Sequence, residues 1–184
     1  MNLGEENPDT LTIMSSLATT YYYQGKYSDA EELNKQCLDK KKAVLGESHL
    51  DTFVIMNNLA GIYDKQGKYS DAEVLFKQCL DKRKLELGES HPDTLVAMNN
   101  LAGIYDSHGK HQEAEVLFKQ CLDKMKEVFG ENHPQTLHTM NNSARNCFLR
   151  GQYSEAEVIF KQCLHKKMVV LGRIILKQYL LRIV

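Results

Sequence analysis

Apolar residues recur along this chain with the period of an α-helix, in segments separated by turns that contain glycine. In residues 88–129, one apolar stripe predicts a helix from about Pro92 to His108, since its members share one side of a helix that turns about 100° per residue. Gly109 interrupts this stripe, and a second one predicts a helix from about Gln112 to Val128. The two stripes consist of Met98, Leu101, Ala102 and Tyr105, and then of Ala114, Leu117, Phe118, Cys121, Leu122 and Met125.

The same pair of helical segments returns at intervals of 42 residues. Residues 46–87 and 88–129 are identical at 30 of 42 positions, so the two units must share one backbone shape. The marker columns are Gly25, Gly67, Gly109 and Gly151; Ala30, Ala72, Ala114 and Ala156; and Cys37, Cys79, Cys121 and Cys163. A single helix pair cannot bury its own stripe, whereas stacked pairs can. We therefore predict an all-α solenoid of about four repeats over residues 1–171, at about 4–45, 46–87, 88–129 and 130–171.

Each repeat also carries signals for the start of its first helix and for its outer surface. Ser90 and Asp93 are spaced as a capping box, and Ser48 with Asp51 and Asn132 with Gln135 repeat that spacing. The first copy, residues 6–9, offers no such box, which predicts a frayed helix start. The recurring histidines His49, His91 and His133 are interpreted as turn residues. Glutamates followed four residues later by lysines predict a solvated outer face: Glu31 with Lys35, Glu73 with Lys77, Glu115 with Lys119, and Glu157 with Lys161.

The repeat pattern weakens at both ends of the array. Asn34 replaces the phenylalanine of Phe76 and Phe118, and Ser143 replaces a leucine. Such departures are typical of terminal repeats, which have water on one side. Residues 172–184 no longer follow the pattern. They are either a short helix that caps the last apolar face or a disordered segment.

These columns resemble the tetratricopeptide repeat, and the length of 42 residues instead of 34 is similar to the kinesin light chain type. The resemblance rests on Asn57-Asn58-Leu59-Ala60, Asn99-Asn100-Leu101-Ala102 and the linker Leu87 to Thr94, and covers Gly4 to about Leu171. It implies a right-handed superhelix whose first helices line a concave groove for an extended peptide. Kinesin light chains carry a coiled coil ahead of their repeats; only three residues precede the first repeat here, so kinesin heavy chain is not expected as the partner.

In the family that the chain resembles, an asparagine ladder in the groove holds the backbone of the peptide. The equivalent residues here are Asn58, Asn100 and Asn142, and a carboxamide suits this role because it offers both a donor and an acceptor. These asparagines could instead bond neighbouring helices, as we expect for Asn57 and Asn99. On the same line of the helical wheel, the residues that vary are predicted to supply specificity: Tyr23, His138, Arg145 and Leu149. The predicted groove also includes Val54, Lys65 and Val96.

Composition narrows the class of function. The net charge of −1 and the lack of a basic cluster argue against a nucleic-acid partner, and no apolar run reaches the roughly 20 residues of a membrane span. The start has no signal or transit peptide, and the odd number of cysteines favours reduced thiols in the cytoplasm.

The cysteines of the column are too widely spaced for a zinc site and are interpreted as small apolar fillers. No cofactor, metal site or catalytic residues are predicted, and an enzyme is not expected. We predict a non-catalytic scaffold or adaptor that binds a protein or peptide partner; the alternative is an assembly module that self-associates through its ends.

Overall fold

The computed structural model describes Gly4, residues 7–47 and residues 49–181. In this part of the chain there are eight α-helices and no β-strand, so the all-α prediction is confirmed. The helices are α1 (Pro8–Tyr23), α2 (Tyr27–Leu45), α3 (Leu50–Lys65), α4 (Tyr69–Leu87), α5 (Pro92–Ser107), α6 (His111–Phe129), α7 (Pro134–Leu149) and α8 (Tyr153–Leu181).

Each helix packs against the next one along the chain, which gives a solenoid of four helix pairs. Two glycines in the left-handed region of φ make the turns of a repeat: Gly109, at φ 74°, within the pair, and Gly130, at φ 85°, between pairs. α5 begins at the predicted residue and ends one residue early, while α6 extends one residue further at each end than the apolar stripe predicts.

The repeated columns form the core of the array. The alanine and cysteine columns are buried in all four repeats. A large apolar residue of each first helix is also buried, namely Leu11, Phe53, Leu95 and Leu137. The small buried residues leave room for the helices to approach closely, and the large buried residues fill the space between them.

The predicted capping boxes are wrong, because each helix begins one residue later than they require. Pro92 is the first residue of α5, so the N-cap is His91, whose Nδ1 accepts a hydrogen bond from the Asp93 amide at 3.2 Å. His49 and His133 cap α3 and α7 in the same way. Ser48 lies outside the described residues. The expected frayed start of α1 is also wrong, because Asn7 Oδ1 accepts from the Asp9 amide at 2.8 Å.

The glutamates of the predicted outer face also link neighbouring repeats. The Glu31 and Glu73 side chains are only 14% and 13% exposed, because each accepts from the expected lysine and from a lysine of the next repeat. The interrepeat partners are Lys68 at 2.7 Å and Lys110 at 2.6 Å. Glu115 does not pair with Lys119 as predicted; it pairs with Arg150. A second set of interrepeat pairs joins Glu47 to Lys82, Glu89 to Lys124 and Glu131 to Lys166.

The last helix is longer than the other second helices. α8 passes through Gly172 without a break and ends at Leu181, whereas α2, α4 and α6 have 19 residues each. A capping role for residues 172–184 stays a prediction, and residues 182–184 lie outside the described part.

Candidate functional site

The first helices of the four pairs lie on the inner side of the array. Besides contacting its own partner helix, α1 contacts α3, and α5 contacts α7. Helices on the inner side of a curved stack approach one another in this way. We call the face of α1, α3, α5 and α7 that points away from the second helices the groove.

All of the predicted site residues have accessible surface on this groove. Two small residues, Gly61 and Gly103, lie beside the asparagines and leave open space around them. The exposed side chains are Tyr23, Val54, Lys65, His138 and Arg145, and the half-buried ones are Asn58, Val96, Asn100 and Asn142.

Two cavities bring subsets of these residues together. The first has a volume of about 230 Å³ and joins Tyr23 to Asn58, between α1, α2 and α3. The second has a volume of about 300 Å³ and joins Val96, Asn100 and His138, between α5 and α7. The structure places Val54, Lys65, Asn142 and Arg145 outside both of these cavities. The predicted residues thus divide between two depressions in the groove and the surface around them.

The three asparagines differ in what their amides contact. Asn142 Nδ2 donates to Asn99 Oδ1 at 3.2 Å and lies 3.3 Å from His138 Nε2, so this amide links the third repeat to the fourth. Within the described residues, the Asn58 and Asn100 amides make no hydrogen bond. They keep both donor and acceptor capacity in half-buried positions, as recognition of a peptide backbone requires.

Other polar groups of the groove are already engaged. Thr12, Ser16, Thr19 and Ser107 donate their hydroxyl protons to the carbonyl four residues earlier in the same helix. The Lys65 ammonium lies 3.6 Å from the Asp64 carboxylate. Among the three asparagines, Asn58 and Asn100 therefore keep their hydrogen-bonding capacity, as do the exposed side chains of Tyr23 and Arg145.

A buried polar cluster behind the groove was not predicted from the sequence. Asp106 Oδ1 accepts from Asn146 Nδ2 at 2.6 Å and lies 2.9 Å from His111 Nδ1. Asn146 Nδ2 also donates to the His111 carbonyl at 2.9 Å. This cluster fixes α7 against the third helix pair. In the sequence, Asn146 stands in the column of Ile62 and Ile104, and this polar replacement is the signal that could have indicated the cluster.

The column of cysteines has the environment of a structural residue. The Cys121 thiol donates to the Leu95 carbonyl at 3.2 Å, and burial raises its pKa to about 12. A thiol with so high a pKa stays neutral and is a poor nucleophile. Among the residues that the structure describes, no three histidine, cysteine or acidic side chains are grouped as metal ligands, and no helix has the length and apolarity to cross a bilayer.

Comparisons with known proteins identify the family of this repeat. A family model for the tetratricopeptide repeat matches residues 51–127 and 109–165, and a second model with the same description matches residues 10–51. A search of the curated proteins finds no match.

Solved structures reproduce the whole array. A single-substitution variant of a Podosopora anserina protein, assigned as a kinesin light chain with nearly identical TPR-like repeats, has a TM-score of 0.78 at 26% identity, covering 93% of this chain and 81% of that one. BtubC (BKLC) of P. vanneervenii gives a TM-score of 0.75 at 23% identity, over 90% and 66% of the two chains. The apo form of RapI gives 0.72 at 14% identity, over 88% and 57%. The last two show the fold alone.

Proposed function

Because the chain belongs to the tetratricopeptide repeat family, we propose that it is a non-catalytic adaptor of the cytoplasm whose groove binds an extended peptide segment of a partner protein. Tetratricopeptide arrays are in general protein-interaction scaffolds and are typically not enzymes. The observation that carries the proposal is the pair of unbonded, half-buried amides of Asn58 and Asn100 beside the two cavities.

The energetics require both the amides and the cavities. A net hydrogen bond contributes about 0.5–1.5 kcal/mol, whereas micromolar binding needs about 8 kcal/mol. Contacts to the backbone of the peptide therefore align it without providing most of the affinity. Burial of peptide side chains in the two cavities supplies the remainder, and the residues that vary along the groove, such as Tyr23 and His138, select the sequence.

Selection from a displayed library of random peptides tests this function. We expect the wild-type array to enrich related sequences, and we expect those sequences to be lost when Asn58, Asn100 and Asn142 are all changed to alanine. Circular dichroism must show that the variant keeps its helices. Enrichment of the same sequences by the wild type and the folded variant would place binding outside the groove.

A second candidate function is head-to-tail assembly, which is favoured by the two ends of the array. Ile13 is 68% exposed, although its equivalents Ile55 and Ala97 are fully buried against the preceding repeat. At the other end Phe160 is 36% exposed, although its equivalent Phe118 is fully buried. The two ends therefore present the two halves of the interface that repeats use within the chain.

The two ends of the array also carry opposite charges, at positions that pair between neighbouring repeats within the chain. Glu157 occupies the column of Glu31 and Glu73, but its lysine partner, Lys161, belongs to its own helix. Lys26 occupies the column of Lys68 and Lys110, which pair with the preceding repeat. In a stack of two copies, Lys26 of one copy would meet Glu157 of the other. A heterologous interface of this kind forms open chains of molecules.

Charge reversal tests the assembly. We expect the mass of the wild type in sedimentation velocity to rise with concentration, and Lys26→Glu and Glu157→Lys to be monomeric because like charges then meet. In a mixture of the two variants, the end reversed at Lys26 can meet the end reversed at Glu157. These two ends carry opposite charges, so mixing should restore assembly. A wild type that stays monomeric, or a mixture that stays as monomeric as its components, would contradict this function.

A further inference from the structure

The first cavity lies between the first and second repeats, beside a side chain of the first repeat that departs from the pattern of the core. Phe118 packs against Ala102 and Ala114 in the third repeat. The equivalent residues of the first repeat are Asn34, Ala18 and Ala30. Asn34 is as deeply buried as Phe76 and Phe118, with 1% exposure, but its side chain is smaller. The cavity of about 230 Å³ adjoins Asn34 and Ala18 and opens to the groove.

Two oxygen atoms at this cavity have no hydrogen-bond donor among the described residues. Asn34 Nδ2 donates to the Ala30 carbonyl at 2.9 Å, which fixes the orientation of the amide and leaves Oδ1 unpaired. Asn57 Oδ1, across the cavity on α3, is also buried and unpaired. Buried carbonyl oxygens without a donor are rare in folded proteins and are costly. A ligand that donates from more than one N–H would satisfy both of these oxygens.

The remaining lining favours a positive charge. The rings of Tyr22 and Tyr23 lie at the cavity with their centroids 5.4 Å apart, and aromatic faces attract cations. Both tyrosines belong to the last turn of α1, where the helix dipole is negative. In the described part of the chain, the side chains that line this cavity are all uncharged. An aliphatic side chain would leave both oxygens unpaired, and a carboxylate would be repelled by them.

We infer that this cavity is a specificity pocket for a lysine or arginine side chain of the bound peptide, with Asn34 Oδ1 and Asn57 Oδ1 as the acceptors. That the side chain belongs to a bound peptide rests on the proposed function. The preference of the pocket for a cation is independent of the proposed function. The ammonium of lysine has three donors and the guanidinium of arginine has five, so either has enough donors for both oxygens.

Small probes test the pocket without a known partner. We would titrate the Nα-acetyl N-methylamides of lysine, arginine and norleucine into the ¹⁵N-labelled chain and follow the side-chain amides of Asn34 and Asn57. We expect saturable shifts with the lysine or arginine probe. The norleucine probe has the aliphatic stem without the charge, so it should bind at least about fivefold more weakly than the lysine probe. Equal binding of norleucine, or absence of any shift at both asparagines, would overturn the inference.

Two variants complete the test. Asn34→Phe restores the residue of the other repeats and fills the cavity, so binding of the lysine probe should be lost. Asn57→Leu removes one acceptor at similar volume, so it should reduce the preference for lysine over norleucine even if the phenylalanine variant does not fold. An unchanged preference in the folded variants would contradict the assignment.

The peptides selected on the groove separate this inference from the proposed function. Enriched sequences that contain no preferred lysine or arginine would refute the pocket and leave peptide binding intact. Binding of the lysine probe at Asn34, combined with failure to enrich any peptide, would refute the proposed function and leave the cation preference of the pocket.

Discussion

At the scale of single residues, the histidines before α3, α5 and α7 act as N-caps, and in α5 and α7 a proline follows the histidine. In the sequence His-Pro, the proline takes the first helical position because it has no N–H to satisfy, and the preceding histidine becomes the N-cap. Its ring nitrogen accepts at 3.2 Å, which is longer than the 2.8 Å bond from Asn7 in the first repeat. Histidine is thus a working but suboptimal cap.

We expect His91→Asn to unfold at the same or a higher urea concentration than the wild type, because asparagine is a preferred N-cap and Asn7 shows that it fits. His91→Ala removes the acceptor and should lower the free energy of unfolding by about 0.5–1 kcal/mol. The comparison is made by urea denaturation followed by circular dichroism. An alanine variant as stable as the wild type would show that the bond to the Asp93 amide contributes nothing.

Single residues are also where the sequence was least informative. The spacing of Ser90 and Asp93 fits a capping box, but spacing alone does not show which residue the proline selects as the helix start. The repeat pattern shows that Asn34 replaces a phenylalanine, and by itself this replacement is typical of a terminal repeat. That the departure leaves a cavity with an unpaired oxygen depends on the packing of α1, α2 and α3, which the sequence does not contain.

At the scale of helices, the outer helices are joined by shared charges. Burial by itself raises the pKa of Glu31, but the hydrogen bonds from Lys35 and Lys68 outweigh it and hold the pKa at about 2. The Lys110 hydrogen bond, followed by that of Lys77, lowers the pKa of Glu73 as well. Each of these carboxylates therefore favours the folded array more strongly when it is ionised.

The sign of the pH dependence follows from the lowered pKa. The stabilisation from Glu31 is fully present above its ordinary pKa of 4.5 and is lost as the pH falls toward 2. Replacement by glutamine in Glu31→Gln removes the titration, so the variant should lose less stability than the wild type between about pH 6 and about pH 3.

The matched control is Glu157→Gln, because the Glu157 side chain is 63% exposed and its lysine partner lies in its own helix. Its pH dependence should remain close to that of the wild type. Urea midpoints at the two pH values provide the measurement. If Glu31→Gln and Glu157→Gln changed the pH dependence equally, the interrepeat pair with Lys68 would have no special role.

At the scale of the whole molecule, the repeat period was sufficient to predict the architecture. Two units that are identical at 30 of 42 positions must fold alike, and apolar stripes on both helices can only be buried by stacking. The helical wheel also predicted which face of the inner helices is accessible. The direction in which a side chain leaves its helix is set by the local backbone, so it is the same in the folded array as on the helical wheel.

Distances between repeats were not predictable in this way. The wheel placed Asn58, Asn100 and Asn142 on equivalent lines, yet of these three, within the described residues, only Asn142 bonds an asparagine of the preceding repeat, Asn99. This difference depends on how closely α7 approaches α5. The division of the groove into two cavities has the same origin, because each cavity is formed by residues from more than one repeat.

The groove and the outer surface carry matched columns of carboxamides, which permits a controlled test of the central claim. Gln36, Gln78 and Gln120 are exposed residues of the outer helices at the same repeat spacing as the three asparagines. Changing either column to alanine removes three carboxamides, but only the asparagine column faces the groove. The two triple variants therefore differ in position and not in chemistry.

The most direct measurement is isothermal titration of a library-selected peptide into the wild type and these two triple variants, each shown to be folded. Hydrogen bonds of about 0.5–1.5 kcal/mol each from the unbonded amides of Asn58 and Asn100 predict roughly a fivefold or greater loss of affinity when Asn58, Asn100 and Asn142 become alanine. The glutamine variant should bind like the wild type. Equal affinity of all three proteins, or a loss confined to the glutamine variant, would contradict peptide binding in the groove.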